Sequence, residues 1–256
     1  MPSSEIGKTA FRPGLSAGAV VAAVLGRDRG QAGQGGGLPR SPRGKRLGTR
    51  RPEHVRAPRV AGVGRTRRYG DDVTDDARVV EVVPYDPAWP ELFEAEQRLL
   101  SEALPEALSI EHIGSTSIPG LAAKPIIDIS AVVPEVDAVV ADLRPLEQLG
   151  YVYRPMAFPE DGEHLFFAKD TAGKRSHHLH VFGATSLVPE GNRVFRAYLG
   201  ANPAAARRYE VAKQSAAELH PDSRARYGAA KEETMTKLSA EARRWSEAAG
   251  RQSPEG

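Results

Sequence analysis

The sequence predicts an α+β fold in which a mixed β-sheet with flanking helices is followed by a C-terminal helical cap. Short β-branched runs bounded by Pro or Gly, which are typical of strands, fall between residues 79 and 182. Beyond Pro189 the apolar residues follow helical spacing, roughly over 192–199, 203–220 and 223–249. A change in composition near residue 75 separates this domain from the preceding part of the chain.

The first 75 residues are rich in Gly, Pro and Arg. Residues 1–70 carry 15 Lys/Arg and 3 Asp/Glu, a net charge of +12, whereas residues 71–256 carry 20 and 30, a net charge of −10. Such a composition buries too little apolar surface to order itself, so residues 1–75 are predicted to be a disordered basic extension and residues 76–250 the folded domain. A basic arm that contacts nucleic acid or an acidic partner is the alternative. Contact with nucleic acid is not expected, because the tail has almost no aromatic residues.

The chain contains no cysteine, so neither a disulfide framework nor a thiolate metal site is available to it. This is compatible with a reducing cytosol, and a cytoplasmic location is expected. The most apolar early run, residues 17–25, is much too short to cross a bilayer, so no membrane association is expected. The oligomeric state is left open.

The predicted domain begins with a strand over Val79–Tyr85 and a helix that starts at Pro90 and runs to Glu102. A second helix is expected over 135–149, with Gly150 as its C′ residue. The later strands are expected at 151–154, 164–169 and 177–182, the last two joined by a turn at 171–175.

The central stretch, residues 110–133, reads IEHIGSTSIPGLAAKPIIDISAVV. It predicts a strand that ends at Gly114-Ser115, a loop containing Pro and Gly, and a buried strand over 126–133. Asp128 lies in this second strand, where a carboxylate is costly to bury unless a cation faces it. A small-residue turn beside an acidic strand indicates a site for phosphate and metal. A structural pairing of Asp128 with a nearby Lys or Arg is the alternative.

The turn residues are candidates for binding phosphate. Gly114 and Ser115 would let backbone N–H groups and a hydroxyl approach phosphate oxygens closely. Ser117 and Lys124 lie on the same loop, and Lys124 would meet a phosphate as a point charge. The alternatives are an ordinary tight turn and a solvated lysine.

His178 and His180 lie two residues apart in a predicted strand, so their side chains share one face. Beside the Asp128 strand they would supply, with His112, a metal ligand or a general base. A His-x-His pair near a carboxylate suits a transition metal better than Mg²⁺. The alternative is one hydrogen-bonded core histidine with the others on the surface.

Two Tyr-x-x-x-Lys pairs, Tyr209/Lys213 and Tyr227/Lys231, each place a ring and an ammonium group on one face of a predicted helix. They would close over a base and its phosphates. Alternatively, they pack the cap against the sheet, with the lysine heads extended to solvent.

From about Val79 to Ala249 the chain resembles the GrpB family, whose members belong to the nucleotidyltransferase superfamily and also occur fused behind dephospho-CoA kinase. The resemblance rests on VVPYDPAWPELFEAE, IEHIGSTSIPGLAAKPIID, LGYVYR, HHLHVF and the two Tyr-x-x-x-Lys segments. It implies a nucleotidyltransferase-like core, in which a Gly-Ser pair precedes a strand bearing two acids. Gly114-Ser115 and Asp128 match this pattern, but Ser130 stands where the second acid is expected.

The resemblance implies a domain that binds a nucleotide or another phosphorylated small molecule, with metal-assisted nucleotidyl transfer as its chemistry. Asp128 and His180 are then the expected catalytic residues, and Asp128, His178 and His180 the expected ligands of a divalent Mg²⁺ or Mn²⁺ ion. The expected phosphate-binding residues are Gly114, Ser115, Ser117, Lys124, Lys213 and Lys231. One carboxylate and a hydroxyl hold Mg²⁺ less well than two carboxylates. Ser130 therefore leaves catalysis open and favours the alternative, a non-catalytic module that acts as a binding or folding-accessory partner.

Overall fold

The computed structural model describes residues 79–250, which form a five-stranded sheet and six α-helices. The strands are β1 (Ser109–Ile113), β2 (Ile127–Val133), β3 (Tyr151–Tyr153), β4 (His164–Thr171) and β5 (Lys174–Gly183). The helices are α1 (Trp89–Ala103), α2 (Val136–Ala141), α3 (Arg144–Gln148), α4 (Val188–Ala201), α5 (Pro203–Leu219) and α6 (Arg224–Gly250). A single 3₁₀ turn, Ser115–Ser117, follows β1.

The sheet is mixed, with the strand order β1-β2-β5-β4-β3. β2 and β5 are parallel, and the other three neighbouring pairs are antiparallel. In the parallel pair Asp128 lies opposite His178, and Ser130 lies opposite His180. Since side chains alternate between the two faces of a sheet, all four of these residues share one face.

The opposite face of the sheet carries the main hydrophobic core. Its fully buried side chains include Ile129 of β2, Leu179 and Val181 of β5, and Phe167 of β4. These side chains pack against α1, α2 and α3, which contribute Trp89, Leu100, Val136, Val139 and Leu146. Burying each large apolar side chain contributes about 1.5–3 kcal/mol, so this core is the main stabilising element of the sheet.

The C-terminal helices α4, α5 and α6 pack against one another around a second apolar cluster that includes Leu199, Tyr209 and Met235. Ile118 and Leu121, from the loop between β1 and β2, insert into the same cluster. The cap therefore holds the loop in place from the side that faces Asp128.

The predicted α+β architecture, a mixed sheet followed by a helical cap, is confirmed. The helix expected from Pro90 is α1, and the three C-terminal helices are present with ends shifted by a few residues. Gly150 has a φ of +87°, as expected for a C′ residue. The predicted tail, residues 1–75, lies outside the described residues.

Three local predictions need correction. Val79–Tyr85 is not a strand, because only Val83 pairs, in an isolated bridge to Ala123, and Pro84 has no N–H to donate. The helix expected over 135–149 is divided into α2 and α3, because Pro145 begins a new helix instead of continuing one. The turn expected over 171–175 is a two-residue turn, 172–173, with both φ values positive as in type I′ turns.

No helix in the part of the chain that the structure describes has both the length and the apolar character needed to cross a bilayer.

Candidate functional site

Asp128 forms the centre of a polar cluster at the start of β2. Its partner across the parallel ladder is His178, whose Nδ1 donates to Asp128 Oδ1 at 2.9 Å. Burial opposes ionisation of this carboxyl, but the hydrogen bond from His178 and electrostatic interactions with His178, His180 and Lys124 outweigh it and lower the pKa of Asp128 to about 2. The side chain is 24% exposed, so this carboxylate is ionised at neutral pH and accessible to a ligand.

Gly114 packs directly on Asp128. Its φ is +71° and its ψ is −168°, a conformation that is essentially restricted to glycine. A Cβ atom at this position would lie 2.9 Å from Asp128 Cβ and 3.0 Å from Asp128 Cγ. The glycine therefore serves two purposes, since it permits the turn and leaves room for the carboxylate.

The two serine hydroxyls of the turn are engaged within the protein. Ser115 Oγ donates to the hydroxyl of Tyr209 on α5 at 3.1 Å, and Ser117 Oγ donates back to the Gly114 carbonyl at 2.7 Å. The predicted phosphate contacts of Ser115 and Ser117 would therefore require these hydroxyls to change partners, whereas the backbone of the turn needs no such change.

Both predicted Tyr-Lys pairs approach this end of the sheet. Lys213 is 1% exposed, and its Nζ donates to the carbonyl of Ala122 in the loop between β1 and β2. Lys231 is 7% exposed, and its Nζ lies 4.9 Å from the centre of the Tyr227 ring. Lys124 Nζ lies 5.1 Å from the same ring centre. The prediction that the lysine heads extend to solvent is wrong for both helices.

The cluster has more cationic groups than acids. Burial, with the nearby charge of Lys231, lowers the pKa of Lys213 to about 7. Burial also lowers the pKa of Lys231 to about 8, although Asp128 acts in the opposite direction and Arg224 adds to the decrease. Lys231 Nζ lies over the face of the Tyr227 ring, and Asp128 is the acid that acts on it electrostatically. This excess of positive charge around Lys231 is the feature of the cluster that an anionic ligand would offset.

His180 and Ser130 lie next to the Asp128–His178 pair on the same face. Both are buried, and neither Ser130 Oγ nor His180 Nε2 has a hydrogen-bond partner among the described residues. His180 Nδ1 lies 2.9 Å from Nε2 of His164, whose ring stacks between Phe158 and Phe182. Burial lowers the pKa of His180 to about 4 and that of His164 to about 2, so both rings are neutral at pH 7.

The donor atoms near Asp128 match the ligand preferences of Mg²⁺ and Mn²⁺ poorly. Both ring nitrogens of His178 are engaged, because Nδ1 donates to Asp128 and Nε2 faces the Arg175 guanidinium at 3.4 Å. What remains is one carboxylate, the Ser130 hydroxyl and His180 Nε2, whereas Mg²⁺ and Mn²⁺ prefer several oxygen ligands. Within residues 79–250, no group of three or more His, Cys, Asp or Glu side chains is arranged to hold a metal ion.

The structure brings the predicted site residues to one region, with a single exception among the histidines. His112 lies on the opposite face of the sheet, where its ring stacks on Phe93 of α1 and its Nε2 contacts Thr116 Oγ1 at 3.0 Å. Three members of the cluster were not predicted, and the first of them, Arg175, is buried and faces His178 Nε2 at 3.4 Å. Arg224 lies at the start of α6, and His164 reaches the site face only because the β4–β5 register shifts between Lys169 and Asp170.

Comparison with known proteins supports the resemblance found in the sequence. The family model described as GrpB protein matches residues 79–241. The UPF0157 protein YqkA of Bacillus subtilis is 37% identical over 169 residues, which are 66% of this chain and 48% of that protein. The glutamate-rich protein GrpB of Alkalihalophilus pseudofirmus is 34% identical over 58% of this chain and 87% of its own length. The chain thus spans about half the length of YqkA and most of the second relative.

The crystal structure of the conserved protein GrpB from Enterococcus faecalis matches with a TM-score of 0.59 and 37% identity, over 64% of this chain and 99% of that chain. Nucleotidyltransferase-like neighbours are more distant. A Cid1 poly(U) polymerase structure matches at 11% identity over 52% of this chain and 45% of that chain, with a TM-score of 0.37. A likeness this low transfers no residue's role to this chain.

Proposed function

This chain belongs to the GrpB protein family, and we propose that its folded domain binds a phosphorylated small molecule where the helical cap meets the start of β2. A nucleotide is the class of ligand that the resemblance suggests. The observation that carries the proposal is the group of cationic side chains that meet there, namely Lys124, Lys213, Lys231 and Arg224.

The charges around Lys231 favour an anion. Lys124 and Lys231 both lie against the ring of Tyr227, and Lys213 and Arg224 each interact electrostatically with Lys231. Like charges this close repel one another, and Asp128 is the acid that offsets them at Lys231. A phosphate group would bring two negative charges and several acceptor oxygens to the same place.

The backbone of the turn supports the same ligand. Gly114 adopts a positive φ and is followed by the 3₁₀ turn Ser115–Ser117, so its surroundings resemble the small concave turns in which backbone N–H groups bind anions. Lys213 connects this loop to α5 through the Ala122 carbonyl, and Glu210 accepts from the Ala122 N–H at 3.2 Å. These contacts fix the loop that would hold the phosphate.

The donor set favours binding without a metal over metal-assisted nucleotidyl transfer. Asp128 has no second carboxylate beside it, and His178 uses both ring nitrogens within the protein. We therefore propose that the domain is a binding module. Metal-dependent nucleotidyl transfer is the competing function, and the experiment below tests for it.

The test is isothermal titration calorimetry and thermal unfolding with pyrophosphate, ATP, CTP and GTP, each with and without Mg²⁺ or Mn²⁺. Binding in the absence of metal is expected, and a ligand at a hundred times its Kd should add about 2.7 kcal/mol to the free energy of unfolding. The variant Lys231→Met should weaken binding about tenfold or more, because a charged hydrogen bond is lost.

Lys237→Met is the matched control, since Lys237 is an exposed lysine on the same helix that pairs with Glu233 at 2.6 Å. It should bind like the unmodified protein. Binding that requires a metal would favour nucleotidyl transfer, and the absence of binding by every probe would refute the proposed function.

A further inference from the structure

Two buried polar side chains that are register partners on the site face each carry an atom without a hydrogen-bond partner among the described residues. Ser130 of β2 and His180 of β5 are register partners in the parallel ladder, and they are 3% and 1% exposed. Neither Ser130 Oγ nor His180 Nε2 has a hydrogen-bond partner in the described part of the chain. Buried polar groups in folded proteins are almost always hydrogen-bonded, so two such atoms in adjacent positions indicate a group that joins them.

The other ring nitrogen of His180 is fixed by His164. His180 Nδ1 and His164 Nε2 are 2.9 Å apart, so one of these nitrogens carries a proton and the other accepts it. The aromatic rings of Phe158 and Phe182 stack on the two sides of His164 and hold it in this position. His164 acts on the ligand through His180 and is a positioning residue.

The negative charge of Asp161 favours one of the two tautomers, although the carboxylate lies too far from His164 for a hydrogen bond. Its Oδ2 lies 4.0 Å from His164 Nδ1, so a proton on His164 Nδ1 is favoured over a lone pair that faces the carboxylate. With that tautomer His164 Nε2 is an acceptor, and it receives the proton of His180 Nδ1. His180 Nε2 is then an acceptor that points away from His164.

The remaining pair consists of an acceptor, His180 Nε2, and a hydroxyl, Ser130 Oγ, which can donate. A group that satisfies both must donate one hydrogen bond and accept another, and a hydroxyl group does this with a single oxygen atom. A phosphate oxygen at pH 7 would satisfy Ser130 but would meet the lone pair of His180. Asp128 and His178 are the polar neighbours of this pair, and they are already bonded to each other.

We propose that Ser130 and His180 bind a hydroxyl group of the ligand, so that the ligand carries a hydroxyl as well as the phosphate assigned above. This rests on the proposed function, and it narrows the ligand to a hydroxyl-bearing phosphorylated compound. A ribonucleotide is one compound of this class. The competing explanation, a buried water molecule that remains when the ligand binds, is one outcome of the test.

The test compares the affinities of ATP and 2′,3′-dideoxy-ATP for the protein and for Ser130→Ala. The unmodified protein should bind ATP about tenfold more tightly than the dideoxy compound, and Ser130→Ala should lose most of this preference. Because Ser130→Ala removes an unpaired buried atom and little volume, the variant is expected to fold. Ser176→Ala, a hydroxyl of the same β5 strand that is bonded to Thr171, is the control and should keep the preference.

A second measurement reads the tautomer directly. In ¹⁵N-edited spectra of the histidine rings at pH 7.5, His180 should carry its proton on Nδ1, and Asp161→Asn should shift the ring toward a mixture of tautomers. A proton on His180 Nε2 in the unmodified protein would overturn the assignment.

The outcomes distinguish the two proposals. Equal affinity for ATP and the dideoxy compound, or a preference that Ser130→Ala leaves unchanged, overturns the hydroxyl contact alone and leaves a buried water as its replacement. Binding of neither compound while pyrophosphate still binds overturns the hydroxyl contact alone, whereas failure of pyrophosphate, CTP and GTP as well refutes the phosphate site, and the hydroxyl contact falls with it.

Discussion

At the scale of single residues, Asp128 shows how one acid remains ionised in an apolar strand. Burial alone would raise its pKa, but the hydrogen bond from His178 Nδ1 and nearby cations lower the pKa to about 2. The two sequence alternatives, a ligand-binding acid and a structural partner of a cation, are therefore not exclusive. The carboxylate pairs with His178 and also raises the pKa of Lys231.

The variant Asp128→Asn separates an anion site from a metal site. An asparagine keeps an oxygen for His178 but removes a negative charge near the proposed phosphate, so affinity for pyrophosphate without metal should rise, by about tenfold at most. Calorimetry at constant ionic strength measures this change. A metal-bridged ligand would behave in the opposite way, because Asp128→Asn would remove the carboxylate that binds the ion.

At the scale of elements, the turn after β1 connects the sheet to the cap. Ile118 and Leu121 lie in the apolar cluster of α4, α5 and α6, while Gly114 lies against Asp128 of β2. The loop is thus anchored on the cap by apolar contacts and on the sheet by a close backbone approach, which only a glycine allows. Helix α5 adds Tyr209, bonded to Ser115, and Lys213, bonded to the Ala122 carbonyl.

Two glycines of this loop provide a matched pair for testing the close approach. Gly114 and Gly120 both have positive φ, +71° and +77°, but no atom lies within 4 Å of the Cβ position at Gly120. Gly120→Ala should therefore cost only the backbone strain, about 1–2 kcal/mol. Gly114→Ala should cost clearly more, about 3 kcal/mol or above, because its Cβ would displace Asp128.

Urea unfolding of both variants measures this difference. Equal losses of stability would show that the contact with Asp128 adds nothing to the requirement for a glycine at position 114.

At the scale of the whole molecule, the histidines link the fold to pH, since four of those in residues 79–250 are buried and lie on the two faces of one sheet. Burial is the first cause in each case, and it lowers the pKa of His112, His178 and His180 to about 4 and that of His164 to about 2. His112 belongs to the core face, and the other three belong to the site face. The folded sheet therefore holds its histidines neutral where the unfolded chain would begin to protonate them.

Acid should destabilise the protein well above the range in which its carboxylates titrate. Between pH 6.5 and about 4 the unfolded chain binds more protons at these histidines than the folded chain, so the free energy of unfolding falls as pH falls through this window. At pH 5 each histidine should contribute a loss of about 1–2 kcal/mol relative to pH 7.5.

Urea unfolding at pH 7.5, 6.5, 5.5 and 5 measures the loss. The variant His112→Gln, on the face away from the site, should reduce the pH dependence of the free energy of unfolding by the contribution of one histidine. A free energy of unfolding that stays constant from pH 7.5 to 5 would contradict the burial argument.

The elements of the fold were largely predictable, because they follow from local patterns. Apolar spacing predicted α1 and the three helices of the cap, and β-branched runs bounded by Pro and Gly predicted β2 and β5. Gly150 was predicted to be a C′ residue, and it has the positive φ of one. The errors arose at prolines. Pro84 prevents a strand over Val79–Tyr85, and Pro145 divides one predicted helix into two.

The sequence by itself supplied the candidate site residues, namely the Gly114 turn, Asp128, the His-x-His pair and the lysines of the two Tyr-x-x-x-Lys pairs. Only the tertiary structure decided which of them meet. The shared face of Asp128 and His178 depends on the parallel register of two strands that are fifty residues apart in the chain, and no local pattern specifies that register. The position of His164 depends on a single register shift between β4 and β5. Without that shift His164 would pair with Val181 on the core face, since moving a strand by one residue turns every side chain to the other side of the sheet.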